Sequence, residues 1–136
     1  MRPPEHSVSV ELEVPFHDVD SLHIVWHGHY FKYFELARTA FMRGRGLDVA
    51  EVVEAGYAML VVDSRCRHSF PLRYGDRFRV TAWCVEWQHR VRIRFELWNT
   101  THDRRSARGH TVLVTTDLGG ALLFETPDVI RHALAK

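Results

Sequence analysis

The amino-terminal part of the chain alternates between apolar and polar residues. Between Ser7 and Phe16 the apolar side chains occupy every second position, as Val8, Val10, Leu12 and Val14. Successive side chains of a strand point to opposite faces, so this alternation predicts a half-buried β-strand. The polar, turn-forming segment HDVDSLH follows it.

From His27 onward the apolar positions recur with the period of an α-helix. They form one stripe, Tyr30, Phe34, Ala37 and Phe41, which Phe31 widens. Charged residues occupy the other faces, so the spacing predicts an amphipathic helix from about Gly28 to Arg43. Gly44 and Gly46 are expected to end it, because glycine readily adopts the backbone conformation that closes a helix.

The rest of the chain is predicted to be mostly sheet. A second short helix covers about Asp48 to Ala55 and is closed by Gly56. Four candidate strands follow, namely Ala58 to Phe70, Arg77 to Trp87, Arg90 to Trp98 and Ala107 to Leu118. Turn-forming and polar residues separate them, including the polar stretch from Asn99 to Ser106. Ala121 to Phe124 is a candidate last strand, and Pro127 introduces a terminal helix over Asp128 to Leu134.

These elements together predict an α+β fold. An antiparallel sheet of five to six strands has a face to cover, and the long helix is the only element large enough to cover it. We therefore expect a curved sheet wrapped around one long central helix. Such a sheet leaves edge strands, which often pair between subunits, so a homodimer is expected.

The composition is that of one soluble domain. With 136 residues, 46% of them hydrophobic and 26% charged, residues 1–136 are expected to form a single domain without disulfide or metal. A net charge of +1 provides no electrostatic footprint for nucleic acid. Of the 18 basic residues 16 are arginine, whose planar group suits phosphate, although solvated strand faces account for them more simply.

Cysteine use and hydropathy favour a cytoplasmic protein. Cys66 and Cys84 lie in apolar alternating stretches, where free thiols are expected to be buried, as a reducing compartment allows. The amino terminus lacks the apolar core of a signal peptide. No apolar run reaches the length of about 18 residues that a membrane span needs.

Reactive side chains are densest between the first strand and the long helix. This segment contains His17, Asp18, Asp20, His23, His27 and His29. A helix start presents unpaired N–H groups and partial positive charge, which can stabilise an oxyanion. Asp20, on the loop before the helix, can face the same carbonyl and attack it or deprotonate a water. Helix capping or turn formation is the structural alternative for Asp20, and Asp18 is expected to be structural.

Other chemistries have less support in the residues. His23, His27 and His29 can bring imidazoles together around a metal ion, but no Cys or Glu stands at a recognised zinc spacing. The absence of a G-x-S-x-G motif and the buried cysteines disfavour a Ser or Cys nucleophile. Glu35 is expected to form an ion pair with a neighbour such as Arg38.

The segment from Phe16 to Arg38, FHDVDSLHIVWHGHYFKYFELAR, resembles the signature of the 4-hydroxybenzoyl-CoA thioesterase family. The shared features are D-x-D, an apolar pair before an aromatic residue and His, then Tyr, an aromatic-Glu pair and Ala-Arg. The likeness is greatest to the bacterial acyl-CoA thioesterases associated with the Tol-Pal envelope system. The P-L-R-Y-G-D turn at Pro71 to Asp76 is also similar to the family's.

This resemblance implies a hotdog fold and a homodimer with sites at the subunit interface, often assembled into a homotetramer. It implies that Asp20, the second Asp of D-x-D, is the catalytic carboxylate. The family's activating backbone N–H falls at His27 or beside it. In the bacterial branch the residue at that position is itself a catalytic His. No metal or prosthetic group is implied, and coenzyme A enters only as part of the substrate. The chain departs from many relatives at His23, where they have Gly, and at His29, so the resemblance does not extend to substrate preference.

We therefore expect an acyl-CoA thioesterase that hydrolyses a small aliphatic or aromatic acyl-CoA. Its thioester carbonyl would lie against backbone N–H groups around His27 and Gly28, with Asp20 as nucleophile or as base for water. Trp26 and Tyr30 are candidates for the acyl pocket, or else part of the core. The alternatives are a hotdog thioesterase acting on acyl carrier protein thioesters and a non-catalytic acyl-thioester binding module. The D-x-D placement before the helix disfavours a dehydratase.

Overall fold

A computed structural model describes residues 3–135, and its elements follow the order that the hydrophobic pattern predicts. The strands are β1 (Val8–Glu13), β2 (Tyr57–His68), β3 (Arg77–Glu86), β4 (Val91–Asn99) and β5 (Arg104–Asp117). The helices are α1 (His29–Gly44), α2 (Val49–Glu54) and α3 (Asp128–Leu134). Within residues 3–135 the strands form one antiparallel sheet in the order β1-β3-β4-β5-β2. The α+β hotdog fold is thereby confirmed.

The core lies between α1 and the face of the sheet on which it packs. The predicted stripe is buried, since Tyr30, Phe34, Ala37 and Phe41 are each no more than 3% exposed. Burying each large side chain stabilises the fold by roughly 1.5–3 kcal/mol. Phe31, which the helical spacing adds to this stripe, instead lies at its margin with 38% of its surface exposed.

Close packing of α1 on the sheet requires a glycine on β5. The ring of Phe34 stacks on Phe95 of β4 with centroids 4.6 Å apart. A Cβ atom on Gly109 would lie 2.7 Å from the Phe34 ring and 2.1 Å from the backbone oxygen of Arg65. The absence of a side chain therefore lets the helix approach β5 directly.

The start of one strand and the existence of another differ clearly from the sequence prediction. β5 begins at Arg104, inside the stretch predicted to be a polar connection, because Arg104 pairs with Asn99 across a tight turn in which Asp103 has φ 55°. Ala121 to Phe124, a candidate strand by its sequence, is not a strand, since Leu122 makes only an isolated bridge to Thr116. Local propensity does not show whether a partner strand is within reach.

The cysteines are free thiols, as predicted. Cys84 is buried and Cys66 is half-buried against the core. Burial raises the pKa of each thiol to about 11. Among residues 3–135 the longest helix has 16 residues, and no helix combines the length and apolarity that crossing a membrane requires.

Candidate active site

Asp20 lies in a tight turn between β1 and α1. Its backbone N–H donates to the oxygen of Ile24 at 2.9 Å, and the His23 N–H donates to the oxygen of Asp20 at 2.9 Å. The Oδ1 atom of Asp20 accepts the Leu22 N–H at 2.8 Å. The Asp20 side chain therefore forms a turn, and it does not cap α1, whose N-cap residue is Gly28. Its other carboxylate oxygen accepts no hydrogen bond from residues 3–135.

The start of α1 offers unpaired backbone donors. The Trp26 N–H donates to the Asp18 oxygen and the His29 N–H donates to the Trp26 oxygen. Between them, the N–H groups of His27 and Gly28 donate no hydrogen bond within residues 3–135. The aligned peptide dipoles of the helix add partial positive charge at this end. An oxygen that gains negative charge is stabilised at such a position.

Trp26 covers the start of the helix and does not belong to the core. Its ring centroid lies 5.1 Å from that of His27, and 49% of its surface is exposed. A Cβ atom on Gly28 would lie only 2.2 Å from Trp26 Cζ3. Only glycine therefore fits under the ring, and the indole forms an apolar wall beside the unpaired donors.

Tyr30 is a buried residue that links α1 to the connection between β2 and β3. It is 3% exposed, and its hydroxyl oxygen accepts the Leu72 N–H at 3.3 Å. The next residue, Arg73, forms an isolated bridge with Ile24 in the Asp20 loop. Tyr30 thus helps to hold the loop connection against the helix, and most of its ring lies in the core.

Sequence reasoning missed His68, at the end of β2. Its ring packs edge-on against Tyr30 with centroids 4.4 Å apart. Burial, followed by the electrostatic interaction with His27, lowers the pKa of His68 below its usual value. A neutral imidazole therefore lies near His27 in neutral solution. The alternation along β2 places His68 on the same face as Cys66, but only the sheet register brings it to the start of α1.

Asp18 links the loop that carries Asp20 to α1. It is 1% exposed and accepts hydrogen bonds from Lys32 Nζ at 2.8 and 2.9 Å and from the Tyr33 hydroxyl at 2.5 Å. Burial alone would raise its pKa, but the hydrogen bonds from Lys32 and Tyr33 and the charges of Lys32 and His29 hold the pKa of Asp18 below its usual value. Asp18 is thus an ionised structural group, which anchors the Asp20 loop to α1.

The remaining histidines and carboxylates of the region do not converge. Among residues 3–135 no three His, Cys, Asp or Glu side chains lie close enough to hold a metal ion together. His29 Nε2 lies 3.8 Å from Asp18 Oδ1, and His23 adopts a left-handed turn conformation with φ 65°. Glu35 pairs with Arg38 at 3.4 Å, which confirms the predicted ion pair.

Sequence comparison identifies a protein family. The profile of the Thioesterase-like superfamily matches residues 14–134. A relative from Bacillus subtilis, named "Putative acyl-CoA thioesterase YneP", is 29% identical over 82 residues, which are 60% of this chain and 59% of the relative. The chain spans little more than half the length of the first relatives that it matches.

Solved structures share the fold across nearly the whole chain. Slr0204, a 1,4-dihydroxy-2-naphthoyl-CoA thioesterase from Synechocystis, superposes with a TM-score of 0.84 at 19% identity, covering 96% of both chains. A mutant 4-hydroxybenzoyl-CoA thioesterase complexed with 4-hydroxybenzoyl-CoA superposes with a TM-score of 0.83 at 20% identity, covering 95% of this chain and 99% of the other. At these identities the likeness establishes the fold.

Proposed function

Because the chain belongs to the Thioesterase-like superfamily, we propose that it hydrolyses a small aliphatic or aromatic acyl-CoA to a free acid and CoA. The observation that carries this proposal is the pair of unpaired N–H groups at His27 and Gly28, which lie seven and eight positions after Asp20 in the chain. The reaction adds water across R–CO–S–CoA, yielding R–COOH and HS–CoA. Its transition state places negative charge on the carbonyl oxygen, which is the charge that these donors suit.

In the proposed mechanism the thioester carbonyl oxygen accepts hydrogen bonds from the His27 and Gly28 N–H groups. In one route the free oxygen of Asp20 attacks the carbonyl carbon and forms a mixed anhydride, which water then hydrolyses. In the other route Asp20 removes a proton from a water molecule that attacks the carbonyl carbon. In either route the C–S bond breaks and the thiolate takes a proton. The imidazole of His27, with neutral His68 nearby, is the proposed source of that proton.

An apolar side chain borders the proposed site. Trp26 presents a half-exposed indole next to the proposed oxyanion donors, so we assign it to acyl binding. Gly28 leaves the space that this ring occupies. Tyr30 contributes indirectly, by holding the loop connection and the His68 ring in place. No cofactor is needed for this chemistry, and coenzyme A takes part only as substrate.

We further propose that the working unit is a homodimer in the cytoplasm. β2 is a 12-residue strand at the edge of the sheet, and it exposes Leu60, Val61 and Val62 by 45–57%. An exposed edge strand of this length is a surface that proteins normally cover, and pairing with a second copy would do so. The two free thiols fit a reducing compartment.

The test is thiol release from a panel of aliphatic and aromatic acyl-CoAs, with the Asp20→Asn variant beside the wild type. An asparagine keeps the Oδ1 that accepts the Leu22 N–H, so the turn is expected to remain intact. Glu35→Gln is the matched control, because Glu35 is an exposed carboxylate on α1. We expect kcat to fall by a factor of about 10² or more in Asp20→Asn and to stay unchanged in the control.

Two outcomes would redirect the proposal. Equal turnover by wild type and Asp20→Asn would show that Asp20 is not the catalytic carboxylate. A folded protein that hydrolyses no acyl-CoA but cleaves acyl carrier protein thioesters would change the carrier and leave the chemistry unchanged. Tight binding of acyl-CoA without hydrolysis would instead identify a binding module.

A further inference from the structure

The face of the sheet that points away from α1 carries a cavity rich in arginine. The cavity has a volume of about 500 Å³ and lies over β2, β4 and β5. Its cationic and imidazole lining consists of Arg65, Arg67, Arg94, Arg105, Arg108 and His110. The arginines share this face because side chains alternate along a strand, and the residues between them, such as Gly109 and Phe95, face the core.

The sheet register places two of these arginines directly opposite each other. Arg67 of β2 pairs with Arg108 of β5. Side chains at directly opposite positions have Cβ atoms about 5 Å apart, and like charges there destabilise a sheet. Within residues 3–135 neither guanidinium lies within 4 Å of a carboxylate. Arg67 and Arg108 are therefore like charges at opposite positions, and neither forms an ion pair within the described residues.

The carboxylates of this face are already engaged with other groups. Glu96 lies 3.4 Å from Arg105. Asp63 lies 3.8 Å from both Arg65 and His110. Glu96 is also directly opposite Arg108 in the pairing of β4 with β5, so this one carboxylate lies beside two of the five arginines that line the cavity.

A second group reports the positive potential of the cavity independently. His110 pairs with Arg65 on one side and with Arg94 on the other. Burial lowers the pKa of His110, and the charges of Arg92, Arg65 and Arg94 lower it further against the opposing effect of Asp63. A surface that disfavours one more cation in this way attracts an anion.

We propose that this cavity binds the phosphates of a small polyphosphate ligand, of the pyrophosphate or nucleotide class. The guanidinium fork matches phosphate oxygens in pairs, so an anion bridging Arg67 and Arg108 would neutralise both charges. Arg65 and Arg94, which flank His110 on its two sides, extend the site along the strands by about 7 Å, which suits more than one phosphate group. The ligand is either the nucleotide end of the CoA substrate or a separate phosphorylated molecule. Only the first of these rests on the proposed thioesterase function.

Binding is tested by calorimetry with inorganic pyrophosphate on wild type, Arg67→Gln, Arg108→Gln and the control Arg79→Gln. Arg79 lies on the same face of the sheet, but it is opposite Glu11 of β1 and outside the cavity. We expect saturable binding to wild type and to the control, and binding about tenfold weaker or more in each cavity variant. No saturable binding to wild type, or equal binding by all four proteins, would overturn the proposal.

Thermal unfolding in phosphate-free buffer tests whether the variants remain folded. Replacing Arg67, which is opposite another arginine, is expected to leave Tm unchanged or raise it, because repulsion is removed. Pyrophosphate is expected to raise Tm of the wild type and not of Arg108→Gln. A lower Tm of Arg67→Gln without ligand would mean that Arg67 stabilises the sheet itself, which contradicts the proposal.

The source of the phosphate is distinguished by measuring KM for an acyl-CoA and for the pantetheine thioester of the same acyl group, which has no phosphate. A higher KM of Arg108→Gln for acyl-CoA, with an unchanged KM for the acyl-pantetheine, would assign the site to the substrate's own nucleotide. Unchanged KM for both, with pyrophosphate binding lost, would assign it to a separate ligand. An equal rise for both substrates would overturn the proposal. Absence of all turnover would refute the thioesterase function while the calorimetric result still decides the site.

Discussion

Gly28→Ala is expected to impair catalysis far more than folding. The new methyl group would lie 2.2 Å from Trp26 Cζ3, 2.4 Å from Cη2 and 2.7 Å from Cε3. Ordinary carbon contacts are about 3.5–4 Å, so the indole must move by roughly 1 Å or more. Because 49% of Trp26 is exposed, the ring can swing toward solvent. The stability loss is then mainly the poorer N-cap, roughly 1 kcal/mol or less.

The catalytic effect follows from where Trp26 lies. Its ring borders the N–H groups that we propose as the oxyanion donors, and a misplacement of about 1 Å in such a site can reduce the rate by a factor of about 10². We therefore expect kcat/KM of Gly28→Ala to fall by a factor between about 10 and 10². Thiol release measures the rate, and thermal unfolding followed by circular dichroism measures the stability.

A rescue and a control test the assumed cause. Removing the ring as well, in Gly28→Ala with Trp26→Ala, should restore the rate to that of Trp26→Ala alone. Gly44→Ala, at the other end of α1, should have no effect on the rate, because its added methyl group has no neighbour within 4 Å apart from the adjoining backbone of the helix. If Gly28→Ala retains full kcat/KM, or if the double variant is slower than Trp26→Ala, the reasoning about the helix start is refuted.

Three further substitutions probe the fold and the site. Tyr33→Phe removes a hydrogen bond to the buried Asp18 carboxylate and should lower the free energy of unfolding by about 1.5–3 kcal/mol in urea titrations. The pKa of Asp18 is lowered in the fold, so this loss of stability should be full at neutral pH and should shrink as the pH falls through the titration of the carboxyl. A loss that does not depend on pH would contradict this prediction. Gly109→Ala places a methyl group 2.1 Å from the backbone oxygen of Arg65, so Tm should fall by several degrees, and an unchanged Tm would refute the close approach of β5 to this oxygen. His68→Gln should flatten the acid limb of the kcat/KM profile against pH while leaving Tm unchanged, and an unaltered profile would remove His68 from the proton transfer.

Much of the fold could be predicted from the sequence because its information is local. The alternation in β1 and the helical stripe of α1 each follow from geometry within a few residues, and the structure buries the predicted faces. The candidate site residues could also be named in advance, because Asp20 and His27 lie seven positions apart on one loop and helix start. What remained open was the role of each one, since an aspartate in this place can form a cap, a turn or a nucleophile.

The tertiary structure decided the features that depend on pairing between distant segments. Nothing near His68 in the sequence connects it to Tyr30, 38 positions earlier, and only the position of β2 beside α1 does so. Likewise, Arg67 and Arg108 are 41 positions apart, and they become an opposed pair only in one register of β2 and β5. A register is selected by the hydrophobic contacts of the whole sheet and helix, so a shift of one residue would turn these side chains to the other face. Sequence periodicity therefore determined which face each residue occupies, and the register determined which residues meet on it.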